Sequence, residues 1–380
     1  MRDPFTAARN FTQILTLWGI ALAGTLCSAT PPLRNYVFDG SPSAPRELAS
    51  TGTENAPLRV SATAPLSTQP GRASRGQTYL LDNAAYEGQP FDASQGFTIE
   101  VIFRYFGQGS QLGNGRPNGM IFAQGDGYWR GLRLYCDTST GQLRFEMGRP
   151  QPRNAFGLSS SLGIPRGVWQ HVAVTWDRQE LRLFWNGVLV AASPYNEPYT
   201  PPNGPLRIGY ADAGVGSLRL QVAQWVAYPE ALSPAVVAEH ALSAIPGPVR
   251  VASNLSYFNP IMSAEWQRAT DLAARGQWRE AGQTWSALAL HPQSSSEVRA
   301  LAKFAGAIAK RLHGATGQAI LDWANLFQGE NVAEIIRLNA AASCLFAAKG
   351  TIGAVPIPEL YESLLQRAEW SPEERTTLLL

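Results

Sequence analysis

The sequence predicts a multidomain β + α chain: an antiparallel β-sandwich followed by an array of α-helical hairpins. Three observations carry this. Gly167–Val190 (GVWQHVAVTWDRQELRLFWNGVLV) holds two strand-like runs joined by Asp177-Arg178-Gln179, a polar connection of hairpin length. Short strand-like runs with Gly, Pro, Asn or Asp between them recur as far as Tyr228. After Pro260 alanine, leucine and glutamine rise, and apolar residues fall at helical spacing.

In the central hairpin, His171, Ala173 and Thr175 take one face and Val172, Val174 and Trp176 the other. An antiparallel pair of this kind buries one face and wets the other. The second run, Glu180–Val190, breaks at Asn186-Gly187, a tight-turn pair. Before the hairpin come Tyr36–Asp39, a short run near Leu58–Ser61, then Thr78–Leu81, Phe97–Phe106, Gly119–Ala123, Gly131–Tyr135 and Gln142–Met147. After it come Leu206–Ile208 and Leu218–Tyr228. In Phe97–Phe106 one face carries Phe97, Ile99, Val101 and Phe103; the other carries Thr98, Glu100 and Arg104, with Ile102 the exception.

At 380 residues the chain has room for about two domains. Charged residues make up 16%, below the roughly 25% of average soluble domains. With 35 glycines and 27 prolines, much of the chain favours turns over helices. A formal net charge of +2 points to neither nucleic acid nor a polybasic membrane patch. Arg2 and Arg9 precede an apolar run, Phe11–Leu26, followed by Cys27-Ser28-Ala29. This order is that of a secretory signal peptide over residues 1–29. The run is short for a membrane anchor, which needs roughly 20 residues. Export then means the periplasm, the cell surface or the medium. Cys27 leaves with the signal, and Cys136 and Cys344 fall in different expected domains, so no disulfide within a domain is expected.

The order of these segments resembles the laminin-G-like, concanavalin A-like jelly roll of many secreted bacterial proteins. Tyr36-Val37-Phe38-Asp39-Gly40 resembles its first strand, and Gly96–Tyr105 (GFTIEVIFRY) a later one. The Gly167–Val190 stretch resembles its central hairpin, and Leu218–Val237 (LRLQVAQWVAYPEALSPAVV) its closing strand with the segment after it. The resemblance spans residues 35–242 and implies a sandwich that serves lectins, adhesins, spacers and glycan hydrolases alike. It also implies a structural Ca²⁺ site near the first and last strands. Ala223 stands where that family offers an aspartate, which leaves Asp39 as a weak candidate ligand and no cofactor as the main expectation.

Residues 243–262 read as a proline-bearing linker, and residues 263–380 as the helical region. Ser263–Ala274 and Trp278–Leu290, turned at Arg275-Gly276-Gln277, resemble one degenerate tetratricopeptide repeat through Gly276, Trp278, Ala281, Trp285 and the closing Pro292. Further helices are expected at Ser296–Leu312, Gly317–Leu326, Asn331–Lys349, Ile357–Ala368 and from Pro372. The three tryptophans Trp266, Trp278 and Trp285 fit packing between helices.

Glycan hydrolysis needs two carboxylates on one strand face. Glu100 and Glu146 each stand alone in their strands, and Asp177 and Glu180 flank a turn. Of His171, His240, His291 and His313 only His171 falls in a strand, where it reads as a packing residue. No His-Glu-x-x-His or Cys-x-x-Cys occurs, so zinc is not indicated. No catalytic residue is assigned and no enzyme is expected. Sugar binding needs an aromatic platform with amides or carboxylates on loops. Asp126, Tyr128, Trp129 and Arg130 form the best cluster, and Tyr195, Asn196 and Tyr199 the second. The plainer reading of Trp129 is core packing at the start of a strand, and that of Tyr195 and Tyr199 is stapling of their loop to the sandwich edge.

The expectation is therefore a non-catalytic exported binding protein. Its sandwich would take a carbohydrate or an extracellular protein, and its helices would dock a protein partner. Two alternatives remain: the front part of a larger secreted carbohydrate-active enzyme, suggested by the apolar end Leu378-Leu379-Leu380, and a structural spacer.

Overall fold

The computed structural model describes residues 30–38, 47–60, 67–70, 77–82, 84–110, 117–125, 130–149, 154–210, 215–244, 257–329, 332, 334–348 and 362. The expected signal segment, Asp39 and the helices expected beyond residue 350 lie outside them, but for Glu362.

The strands are β1 (Arg34–Val37), β2 (Glu47–Leu48), β3 (Leu58–Val60), β4 (Ser67–Pro70), β5 (Gln77–Leu81), β6 (Ala85–Gly88), β7 (Phe97–Gln108), β8 (Asn118–Gln124), β9 (Leu132–Asp137), β10 (Gln142–Arg149), β11 (Asn154–Gly163), β12 (Gln170–Trp176), β13 (Glu180–Trp185), β14 (Val188–Pro194), β15 (Leu206–Gly209) and β16 (Leu218–Tyr228). They form two sheets. One runs β14-β13-β12-β7-β16-β5-β4, with β1 also on β16; the other runs β11-β10-β9-β8-β15-β6-β3-β2. Every pairing between these strands is antiparallel. The alternation in β7 sends Phe97, Ile99, Val101 and Phe103 toward the second sheet, where the Phe97 ring lies 6.1 Å from that of Phe145 in β10. Trp225 of β16 meets Phe122 of β8 at 6.0 Å.

The central hairpin forms as its residues predict. Asp177 closes the turn by accepting from Gln179 N at 2.9 Å and Glu180 N at 2.7 Å, and Arg178 takes φ 72°. Its expected wet face is the main departure. His171, Ala173 and Thr175 are 1%, 0% and 4% exposed, so β12 is buried on both faces. Helices provide the cover. Strands β2, β4, β6 and β11 were not expected either. β11 (NAFGLSSSLG) reads as a polar loop, yet it can serve as an edge strand because only one side must pair, with β10.

The helices are α1 (Pro234–Ser243), α2 (Pro260–Ala274), α3 (Trp278–Leu290), α4 (Ser296–Leu312), α5 (Thr316–Gln328) and α6 (Glu334–Ala348). α2 begins three residues before the expected Ser263, since Asn259 caps Met262 N at 2.9 Å and Pro260 suits the first turn. α1 starts the same way, with Ser233 capping and Pro234 following. Consecutive helices from α2 to α6 pack in chain order. Trp266 and Trp285 meet at 5.8 Å between α2 and α3, and a Cβ on Gly282 of α3 would come 3.1 Å from Ala309 Cβ of α4. Small residues thus set that close approach.

From Pro32 onward the chain clusters as one unit, and one apolar core runs through sandwich and helices. Trp185 of β13 packs edge-on to Phe304 of α4 at 5.3 Å. Arg182 pairs with Asp271 of α2 at 3.2 Å, and Asn339 of α6 donates to Trp169 O at 2.9 Å. Gly187, at φ 80°, lets α1 press on the β13–β14 turn, where a Cβ would meet Ala238 Cα at 2.8 Å. Cys136 and Cys344 are buried and free, and burial pushes their thiols up to about 12 and about 11, so neither is a thiolate at neutral pH. Among the described residues no helix is long and apolar enough to cross a membrane.

Truncating Trp185 or Phe304 to alanine should each cost about 3–5 kcal/mol in urea unfolding. The double variant should fall short of the sum by about 0.5–1.5 kcal/mol, because each single change already breaks the shared ring contact. Full additivity would mean that the contact does not couple sandwich to helices.

Candidate functional site

The hairpin turn and the loop after β14 enclose a surface cleft of about 520 Å³. Ser94, Asp177, Arg178, Gln179, Asn196 and Tyr199 are among its lining. Tyr195 N donates to Gln179 O at 2.7 Å, tying one wall to the other. Trp176 Nε1 donates to Tyr195 O at 2.8 Å beneath them. The Tyr195 ring lies 4.7 Å from Phe156 and 5.9 Å from Trp176, and the Arg149 guanidinium covers both Phe156 and Tyr195 while pairing with Glu197 at 3.1 Å. The loop backbone is therefore pinned at its root before any ligand arrives.

Tyr199 OH accepts from Gln124 Nε2 at 3.0 Å, and Gln124 is itself held by Phe91 O at 2.8 Å. Burial pushes the Tyr199 phenol well up, so it stays protonated and keeps its own hydrogen to donate. The cleft thus offers amides from Gln179 and Asn196, carboxylates from Asp177 and Glu197, the Arg178 guanidinium and the side of the Tyr199 residue, whose hydroxyl is held by the buried Gln124.

The expected site residues divide as follows. Asn196 is exposed and Tyr199 half-buried, and both line the cleft. Tyr195 is 2% exposed and supports the cleft from below. Arg130 is exposed, while Asp126, Tyr128 and Trp129 lie outside the described residues. The ends of that stretch nevertheless sit by the cleft loop: Gly131 N donates to Thr200 O at 3.2 Å, and a Cβ on Gly125 would meet Pro202 Cβ at 2.9 Å. Gly125 and Gly131, the described residues flanking that stretch, thus both meet the segment Thr200–Pro202.

A second polar constellation was not foreseen. Glu100, on the outer side of β7, is buried, and both its oxygens meet His240 Nδ1 of α1, at 3.0 and 2.9 Å. His171 of β12 brings Nε2 to 3.8 Å from the same carboxylate, an ion-pair distance beyond hydrogen-bond reach. Tyr228 stacks on His240 at 5.6 Å. Burial pushes the Glu100 carboxyl up, but the facing imidazoles outweigh it and bring it down to about 2. Burial pulls His240 down, and the Glu100 charge more than restores it, so its imidazole stays protonated above the ordinary range. Neither His171 ring nitrogen has a hydrogen-bond partner among the described residues; they line a pocket of about 180 Å³ that is roomy enough for ordered water. The group clasps α1 to the sheet. It escaped sequence reading because β7, β12 and α1 carry one member each. Among the described residues no group of three His, Cys, Asp or Glu is placed to hold a metal ion, and at the aspartate position of the family's Ca²⁺ site Ala223 offers only its carbonyl, which accepts from Phe38 N at 2.9 Å.

Residues 80–238 match the laminin-G family model described as the concanavalin A-like lectin/glucanases superfamily. Solved structures with some likeness include the binding domain of Paraclostridial Mosquitocidal Protein 1, at 15% identity and TM-score 0.44 over 56% of this chain and 52% of that one. The binding domain of Botulinum Neurotoxin DC in complex with SialylT aligns at 12% identity and TM-score 0.44, over 56% and 52%. The same domain with rat synaptotagmin II aligns at 13% and 0.42, over 55% and 51%. The chain spans about half the length of these structures. No curated protein matches it.

The clasp should make stability depend on pH in two directions. The His240 contribution is full below the ordinary imidazole value of 6.5 and fades as pH rises through its raised folded value. The Glu100 contribution is full above the ordinary value of 4.5 and fades as pH falls toward about 2. The stability lost in His240→Asn should therefore be largest between 4.5 and 6.5 and shrink in alkaline buffer, as read by chemical denaturation across pH. A pH-independent difference would discount the ion pair.

Proposed function

We propose that this chain is a non-catalytic exported binding protein whose sandwich holds a glycan, free or on a protein, in the cleft between the Asp177–Gln179 turn and the Asn196–Tyr199 loop. The observation that carries this reading is the cross-tied pair of loops, with Tyr195 N on Gln179 O at 2.7 Å holding a rim of amides and carboxylates. A polyhydroxyl ligand needs such mixed donors and acceptors beside a ring, and rigid loops spare it the cost of ordering them. The family model spans both walls of the cleft, and its description covers lectins as well as glucanases.

The carboxylates favour the lectin side. Glycosidases place two carboxyl groups about 5–9.5 Å apart across the scissile bond. Here the strand residues opposite Glu100 are Ala173 and Val226, opposite Glu146 are Arg133 and Gly157, and opposite Glu87 are Arg207 and Arg59. The Glu100 and Glu146 carboxylates already serve His240 and Tyr135. Export rests on the basic start and apolar run of residues 1–29. A tetratricopeptide-like reading of the helices rests on the α2–α3 pair, turned at Gly276 with φ 74° and filled by Trp266 and Trp285.

The test is a glycan array probed with the labelled chain, followed by titration of any hit. Gln179→Ala with Asn196→Ala should weaken binding at least about tenfold while leaving thermal unfolding unchanged, since both side chains are exposed. Undiminished binding by that variant would remove the cleft as the site. Silence across the array would remove the glycan.

A further inference from the structure

The helical region carries a second surface, far in chemistry from the cleft. A groove of about 590 Å³ runs over α4 between α3 and α5. Its floor is apolar: Ala289, Ala300 and Leu326 line it and are buried. At its edge Leu290, the last residue of α3, is 81% exposed, the most exposed large apolar side chain among the described residues. Arg299, Lys303 and Lys310 line the same groove. They sit at spacings of four and seven along α4, so they share one helix face.

The charges do not cancel. Asp322 of α5 takes Lys310 at 2.6 Å. Arg299 reaches only the Pro292 carbonyl, at 3.3 Å, and neither Arg299 nor Lys303 has a carboxylate partner among the described residues. Arg299 also stands in the early part of α4, where the helix dipole favours negative charge and the cation is held at a cost. Two uncompensated cations thus flank an apolar floor and an exposed leucine.

We propose that this groove docks an extended acidic peptide segment of a partner protein, its carboxylates on Arg299 and Lys303 and an apolar side chain against Leu290 and Leu326. The rise of about 1.5 Å per helical residue puts Arg299 and Lys303 about 6 Å apart along α4, close to the spacing of alternate residues in an extended peptide. The apolar floor supplies burial, and the cations supply selection of sign and faster encounter. The surface is distinct from the glycan cleft, and neither reading depends on the other.

Fluorescence anisotropy with the full chain tests this. The probe is a fluorescein-labelled peptide alternating glutamate and leucine; its counterparts carry glutamine or lysine in place of glutamate. The glutamate peptide should bind saturably and lose about tenfold in affinity when salt is raised to several hundred millimolar, because exposed charge pairs are screened. Arg299→Glu with Lys303→Glu should reverse the preference, losing the glutamate peptide and gaining the lysine one, with the circular dichroism melt unchanged. The Gln179→Ala/Asn196→Ala variant should bind the glutamate peptide like the wild type. The proposal fails if the glutamate peptide does not bind, if the glutamine peptide binds equally well, or if the charge-reversed variant keeps its preference. Retention on anionic phospholipid vesicles without peptide binding would also overturn it, in favour of a membrane surface.

Discussion

The constraint on which the structure depends is that β7 and β12 are buried on both faces. A sandwich of two antiparallel sheets needs only its inner faces covered. Here the outer side of the first sheet presents His171, Ala173 and Thr175 beside Thr98, Glu100 and Ile102, and each is 6% exposed or less. The helices are what remove this surface from water. Gly187 against Ala238 and His240 on Glu100 are the closest expressions of that dependence, while Trp185, opposite Val172 on the other face, joins the sandwich core to α4 through Phe304. Neither sheet nor helices would bury their apolar surface equally well alone.

Covering that face also buries polar groups, and each must be satisfied where it stands. Thr98 donates to Glu230 O and accepts from Leu232 N, both at 2.8 Å, which fixes the chain entering α1. Arg104 bonds Gln221 and lies over the rings of Trp169 and Phe106. Glu100 is met by His240. The outer face of β7 is thus a row of specific attachments, and α1 is positioned by them as much as by its apolar side. The cleft sits away from this face, at the β12–β13 turn, where rigid strands hold short polar loops.

Much of the fold was legible in the residues. The period-two alternation of β7, the Asp-Arg-Gln turn and Asn186-Gly187 marked strands and hairpin, because these patterns are local consequences of backbone geometry. α3 and α4 were bounded correctly for the same reason. The start of α2 was also written there, in Asn259-Pro260, but its linker-like surroundings concealed it. β11 was hidden by its serines and glycine, since an edge strand need not be apolar. Loop composition singled out Asn196 and Tyr199, which line the cleft, and equally Tyr195, which is buried. Composition tells which residues suit a ligand and not which way a loop turns them.

By itself the sequence determined the class of the fold, the order of its elements and the loops that carry polar and aromatic groups. Those come from patterns within a few residues of one another. The tertiary structure alone decided three things: that the helices seal the outer sheet face, that Glu100, His171 and His240 meet, and that Arg299 and Lys303 share a groove with an exposed Leu290. Each joins elements that no local pattern links. The distance from Glu100 to His240 is 140 residues along the chain and 2.9 Å in space, and only packing can set the second number.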